Sequence, residues 1–189
     1  MNTTYQSLPM VQLSLLFVAH NDEHKETIQH TLRCTELIGE FGSFLKLDES
    51  DITLLKKGAM LHDIGKFFVP AKTLYANRRL KESEFELIKT HPLLGEVDGL
   101  DPVVQAIKEQ HHEALDGSGY PLGLTSSEIH PFAQIMAIVD VYDALKTPRA
   151  YKTSWSDERI YQEMMSHRGT RFNAIYLDAF FSFIELNRI

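Results

Sequence analysis

The chain has 189 residues, a net charge of −7 and a single cysteine, Cys34. That length suits one domain whose core hides roughly 70% of the unfolded surface. The negative balance argues against a broad grip on extended nucleic acid, which needs clustered Lys and Arg, though a small anionic ligand in one pocket stays open. A lone cysteine excludes an intrachain disulfide and fits a reducing cytoplasm.

The most apolar N-terminal run, Leu13 to Ala19, is too short to cross a bilayer and has no basic leader. It reads as a buried helix, with Tyr5 and Phe17 packing on the rest or forming a dimer face. Residues 1–21 are thus an N-terminal extension and residues 22–189 the main domain. Leu32, Leu37, Ile38, Phe41, Phe44 and Leu45 then recur at three-to-four spacing, the stripe of an amphipathic helix. Asp48 caps a second helix carrying Ile52, Leu55, Ala59 and Leu61, which runs into His62-Asp63. Gly65 and Pro70 break the next stretch. Residues 82–97 read as a helix that Pro92 disturbs. Asp101-Pro102 starts another, with a capping carboxylate and proline in the first turn, ending near His112. Pro131 opens a helix through Ile135, Ile138 and Val139 to Leu145, and Ser156 and Asn173 cap two last ones. Phe180, Phe181 and Phe183 are core on at least one face. Strand-like alternation is weak throughout, so the fold class is an all-α bundle.

Without a thiolate cluster, a metal here must be held by His and Asp or Glu. Glu26 and His30 are four apart and share a helical face. His62 and Asp63 are adjacent, about 100° apart on a helix, so one can serve one ion while the carboxylate bridges two. His91, His111, His112 and Asp140 come from other segments, and a bundle builds a polynuclear site from inward side chains on several helices. Asp140 follows Ala137-Ile138-Val139, where an unpaired carboxylate is costly to bury; a metal or a salt bridge would satisfy it. His20, His24, His130 and His167 lack such partners and read as surface or structural.

Three motifs carry a resemblance. They are His62-Asp63-Ile64-Gly65-Lys66, the block from His111-His112-Glu113 through Asp116-Gly117-Ser118-Gly119-Tyr120-Pro121, and Asp140-Val141-Tyr142-Asp143-Ala144-Leu145. Together they resemble the HD superfamily of metal-dependent phosphohydrolases, and more narrowly its HD-GYP branch, from about Glu26 to Phe183. The resemblance implies an HD-type helical bundle with a polynuclear centre in its core. It implies metal ligands Glu26, His30, His62, Asp63, His91, His111, His112 and Asp140, holding two or three divalent ions, iron or manganese, with Glu26 favouring three. His62, Asp63 and Lys66 would form the catalytic group. Lys66, Tyr120, Arg149 and Lys152 would meet the substrate. The implied reaction is hydrolysis of cyclic di-GMP to pGpG, and onward to GMP, by metal-activated hydroxide. Expected partners are cyclic di-GMP and either a second copy or a signalling protein, with no membrane insertion.

The chain departs from the family's pattern in four places. Asn77-Arg78-Arg79-Leu80 replaces a Lys-Pro-Gly-like turn, and the interval from His91 to His111 is several residues short. Gln134 stands where arginine is common, and the first helix lacks the usual Asp and Thr-Gly lead. Two rivals therefore remain beside cyclic di-GMP hydrolysis: a phosphohydrolase of the same kind acting on another nucleotide, and a catalytically weak cyclic di-GMP-binding module.

Overall fold

In the computed structural model, residues 24–148 and 154–187 are described. The N-terminal extension, and with it Tyr5, Phe17 and the Leu13 to Ala19 run, lies outside them, as do Arg149 and Lys152. The described residues are helical, with isolated bridges at Asp116–Thr125 and Arg168–Phe172 and no named strand among them. The elements are α1 (Lys25–Phe44), α2 (Glu49–Leu61), a 3-10 turn (Ile64–Phe68), the short α3 (Ala71–Leu74), α4 (Glu82–Lys89), a second 3-10 turn (His91–Leu93), α5 (Pro102–Gln110), α6 (Pro131–Lys146), α7 (Asp157–Ser166) and α8 (Ala174–Leu186).

Local chemistry starts these helices where the sequence says. Asp48 accepts from Asp51 N, Asp101 from Val103 N, Ser156 from Arg159 N, and Asn173 from Ile175 N and Tyr176 N. Each cap satisfies a backbone donor that has no partner within its helix. The helix expected over 82–97 stops at Lys89, and the 3-10 turn at His91–Leu93 replaces its second half. Proline disfavours helical geometry at the residue before it, and here that residue is His91.

Helix α1 packs on α2 and α6, α2 also packs on α5, and α6 reaches α5, α7 and α8. Their shared core holds Ile38, Phe41, Leu55, Ile107, Met136, Ile138, Ile160, Met164, Leu177 and Phe180. Burying each large side chain stabilises the fold by roughly 1.5–3 kcal/mol. Phe180 and Phe183 are buried and Phe181 packs on them half-buried. The buried stripe of α1 differs from expectation: Leu32 is 47% exposed and Phe44 is also exposed, while Thr27, His30, Thr31, Cys34 and Thr35 are buried. The stripe is therefore polar at the N-terminal end and apolar from Ile38 onward, so one helix lines both the site and the core.

Candidate metal centre

Five segments bring their side chains to one buried point. Among the described residues, Asp63, His91, His111 and His112 form one group of donors within 4.8 Å of one another, and His30, His62 and Asp63 another. Asp63 belongs to both. Its Oδ1 lies 3.2 Å from His91 Nε2 and 3.8 Å from His111 Nε2, while its Oδ2 lies 3.4 Å from His62 Nε2 and 3.8 Å from His30 Nε2. Asp140 has the same double reach, with Oδ1 2.9 Å from His30 Nε2 and Oδ2 3.6 Å from His112 Nδ1.

The backbone selects which ring nitrogen faces the centre. His62 Nδ1 lies 2.7 Å from Ala59 O, His91 Nδ1 2.8 Å from Ile88 O and His111 Nδ1 2.8 Å from Lys108 O. A carbonyl can only accept, so each Nδ1 carries the proton and each Nε2 keeps its lone pair for the centre. All three bonds run to the third residue back, which couples ring orientation to the end of the preceding helix. Burial pushes His91 and His111 below the ordinary imidazole range and His112 down to about 3, so all three are neutral at neutral pH.

His30 is set differently. Burial opposes its charge, but hydrogen bonds to Asp140 and Asp143 outweigh that and hold its pKa well above the ordinary value. Its Nδ1 lies 2.6 Å from Asp143 Oδ2, and Arg33 donates two hydrogen bonds to the same carboxylate, at 2.7 and 2.8 Å. Burial would raise the pKa of Asp63, but the charges of His62 and Lys66 hold it well below the carboxylate range; Asp140 is held low by the His30 hydrogen bond and by His112.

The donors fit a metal ion. His62 Nε2 and Asp63 Oδ1 are fully buried and have no hydrogen-bond partner among the described residues. Leaving two such atoms unpaired is costly. Ligand bonds near 2.1 Å put neighbouring donor atoms roughly 3.0–4.2 Å apart, and the separations around Asp63 run from 3.2 to 3.8 Å. Glu26 lies off both groups. It lines a small cavity of about 40 Å³ with Thr27, His30, Asp63, Lys66, Leu74 and Tyr75.

Beside the centre opens a cleft of about 800 Å³, lined among others by Lys66, Phe85, His91, His112, Tyr120, Asp140 and Arg171. Lys66 Nζ sits 2.6 Å from Asp63 Oδ2 at its floor. The Tyr120 ring packs on His112 with centroids 4.7 Å apart, and burial together with the Asp140 charge raises its hydroxyl pKa. The loop carrying Tyr120 is fixed by Glu113, which is buried and accepts from Leu122 N at 2.7 Å and Leu124 N at 3.0 Å. A Cβ on Gly119 would overlap the backbone of Glu113 and Ala114, and one on Gly65 would overlap the His91 carbonyl. Glycine lets each pair of segments close up.

The shortened His91-to-His111 interval still brings these rings together, with Nε2 atoms 3.4 Å apart. Of the histidines set aside as surface or structural, His20 lies outside the described residues, His24 is buried against Tyr75 and Phe67, His130 caps α6, and His167 pairs with Glu163 on the surface. Gln134 donates to Ile129 O and accepts from Asn173, tying α6 to α8. Sequence reasoning missed Asp143, Glu113, Phe85 and Arg171. Asp143 and Glu113 had a signal, each lying within a motif already singled out, while Phe85 and Arg171 had none.

A family model described as HD domain matches residues 18–174. This chain belongs to the HD domain family. Phosphohydrolases of this family are metal-dependent, in keeping with these clusters of donors. The chain is 34% identical over 155 residues to the 3'3'-cGAMP-specific phosphodiesterase 2 of Vibrio cholerae, spanning 78% of this chain and 30% of that protein. It is 32% identical over 184 residues to a cyclic di-GMP phosphodiesterase of Thermotoga maritima, spanning 94% of this chain and 50% of that protein. The chain thus spans half or less of the length of these curated relatives. A solved HDG"Y"P protein from Bdellovibrio bacteriovorus shares the fold, with TM-score 0.69 and 21% identity over 84% of this chain and 52% of that one. The HD-GYP resemblance read from the motifs and the all-α fold both hold. No helix of the described residues is long and apolar enough to cross a membrane.

Proposed function

We propose that this chain is a cytoplasmic metal-dependent phosphodiesterase that cleaves cyclic di-GMP to pGpG and then GMP. The observation that carries the reading is Asp63, with one oxygen in each of two donor groups, beside a cleft of dinucleotide size that His91, His112 and Asp140 line. His30, His62, Asp63 and Asp140 would hold one ion, and Asp63, His91, His111 and His112 a second, with iron or manganese as the metals. Glu26, beside His30 and Asp63, is the residue available to a third. Bound ions would supply Lewis acidity toward a phosphoryl oxygen and make water nucleophilic near neutral pH.

The chain's own groups do the rest. The buried imidazoles of His62, His91 and His111 turn Nε2 toward the centre, because each Nδ1 donates to a backbone carbonyl. Lys66 brings a cation to the floor of the cleft, where charge grows on the phosphate in the transition state. Water adds to phosphorus, the bond to the 3'-oxygen breaks, and that oxygen leaves with a proton. Tyr120 packs over His112 at the wall of the cleft. Arg171 would pair with the second phosphate, and the exposed ring of Phe85 offers a purine a stacking face. Arg149 and Lys152, outside the described residues, would hold phosphate or guanine. The active form would be a homodimer or would work with a signalling partner.

The similarity to a 3'3'-cGAMP-specific enzyme supports a second reading, a mixed-base cyclic dinucleotide as substrate. The test is one panel: chain loaded anaerobically with iron or manganese, given cyclic di-GMP, 3'3'-cGAMP or a mononucleotide, with products separated by chromatography. The proposal expects pGpG from cyclic di-GMP at the highest rate. Faster cleavage of 3'3'-cGAMP moves the assignment to that substrate. Tight binding without turnover under either metal overturns catalysis in favour of a binding module.

A further inference from the structure

Lys108 is a fully buried lysine at the last turn of α5. Its ammonium donates to Pro92 O at 2.8 Å, and its carbonyl accepts from His111 Nδ1 at 2.8 Å. Pro92 directly follows His91, so one residue is tied at its side chain to the turn that carries His91 and at its backbone to the ring of His111. Those two rings face each other with Nε2 atoms 3.4 Å apart, and both approach Asp63 Oδ1. We propose that Lys108 is a positioning residue that sets the separation of His91 and His111 and thereby the metal affinity of the histidine-rich half of the centre. The inference rests on the metal-centre reading above.

Energetics separate this role from ordinary packing. A buried ammonium has three donors, and Pro92 O is the one acceptor it has among the described residues. Burial accordingly lowers its pKa, with only Glu109 and Glu96 opposing. Such a group adds little to stability, and an apolar side chain of similar volume replaces it at near-neutral stability. What it supplies instead is a fixed anchor for the His91 turn, which follows a short helix, α4, that contributes no buried residue. Groups that orient metal-binding histidines typically change metal affinity 10–100-fold when lost.

The test compares the chain as it stands with Lys108→Met and with Ile107→Val, a packing change on the same helix that leaves the Pro92 bond intact. Each is stripped of metal, its thermal unfolding recorded, and cobalt(II) titrated in while its visible absorption is followed. The expected result is that Lys108→Met unfolds within a few degrees of the unaltered chain, yet binds the weaker cobalt at least about tenfold less tightly with altered bands. Ile107→Val should lose stability and keep the titration unchanged. Lys108→Met that fails to fold, or that binds cobalt within twofold of the unaltered chain, overturns the positioning role. An unaltered chain that takes up no cobalt overturns the metal-centre reading itself.

Discussion

The two halves of the centre meet at Asp63 and are built in opposite ways. His30, His62 and Asp140 rise from α1, α2 and α6, long helices locked together by the main core. Charge balances charge there: Arg33 holds Asp143, Asp143 holds His30, and His30 holds Asp140. On the other side, His91 sits in a 3-10 turn and His111 and His112 sit just past the end of α5. Those rings are neutral; His91 and His111 are oriented by backbone carbonyls, by close contact at Gly65 and by the Lys108 bond. One half takes its precision from helix packing and salt links, the other from short turns held at single points. Selective damage to either half should therefore be achievable, and Asp63 is where both fail.

The largest effect is expected at Asp63. Asp63→Asn should lower turnover of cyclic di-GMP about a thousandfold, since several kcal/mol of metal assistance is lost and each 1.36 kcal/mol is tenfold; steady-state rates on matched metal-loaded samples measure it, and less than a tenfold loss would remove Asp63 from the junction. Next comes the charged half. Asp143→Asn removes an acceptor shared by His30 and Arg33, so metal affinity there should fall 10–100-fold, read by competition against a chelator, with the histidine-rich half unchanged. Equal loss in both halves would contradict their separate construction.

Arg171→Ala touches neither half. It should raise KM for cyclic di-GMP about tenfold, the worth of one exposed charge-assisted contact, and leave kcat and the hydrolysis of a small aryl phosphodiester as they were. A drop in kcat instead would put Arg171 at the reacting phosphate. The smallest effect is one of slope. In metal-free protein the His112 pKa is about 3 against an ordinary 6.5, so the unfolded chain binds more protons between those values. Stability is then full above pH 6.5 and declines as pH falls toward 3. His30 runs the other way, its raised pKa adding stability at low pH that fades as pH climbs through the folded value. His112→Gln should flatten the acid-side decline in chemical denaturation, and an unchanged slope would mean His112 is not buried as a neutral ring.

Much of this was legible in the sequence because much of it is local. The caps at Asp48, Asp101, Ser156 and Asn173 need only their own next turn. Asp140 stood out as a carboxylate costly to bury after Ala137-Ile138-Val139, while His30, His62, Asp63, His91, His111 and His112 were singled out by their combination and by the motifs they sit in. Other features depend on partners distant in sequence. Pro92 marks the disturbance after α4 locally, but the close approach of the His91 carbonyl to Gly65 joins two separate segments. Glu113 gains its role from the amides of Leu122 and Leu124, and Lys108 from Pro92. Leu32 was placed on the buried stripe by spacing alone, but the stripe is rotated toward Thr31 and Thr35 so that His30 faces the centre. Glu26 stands near the centre but outside the donor groups, a separation that spacing along α1 could not reveal.

The claim that joins these parts is that one carboxylate serves both halves. Anaerobic metal analysis of the chain and of Asp63→Asn, loaded identically and freed of excess ion, tests it directly. The account predicts two or more tightly held ions per unaltered chain and almost none per Asp63→Asn chain; a full load retained by Asp63→Asn would contradict it.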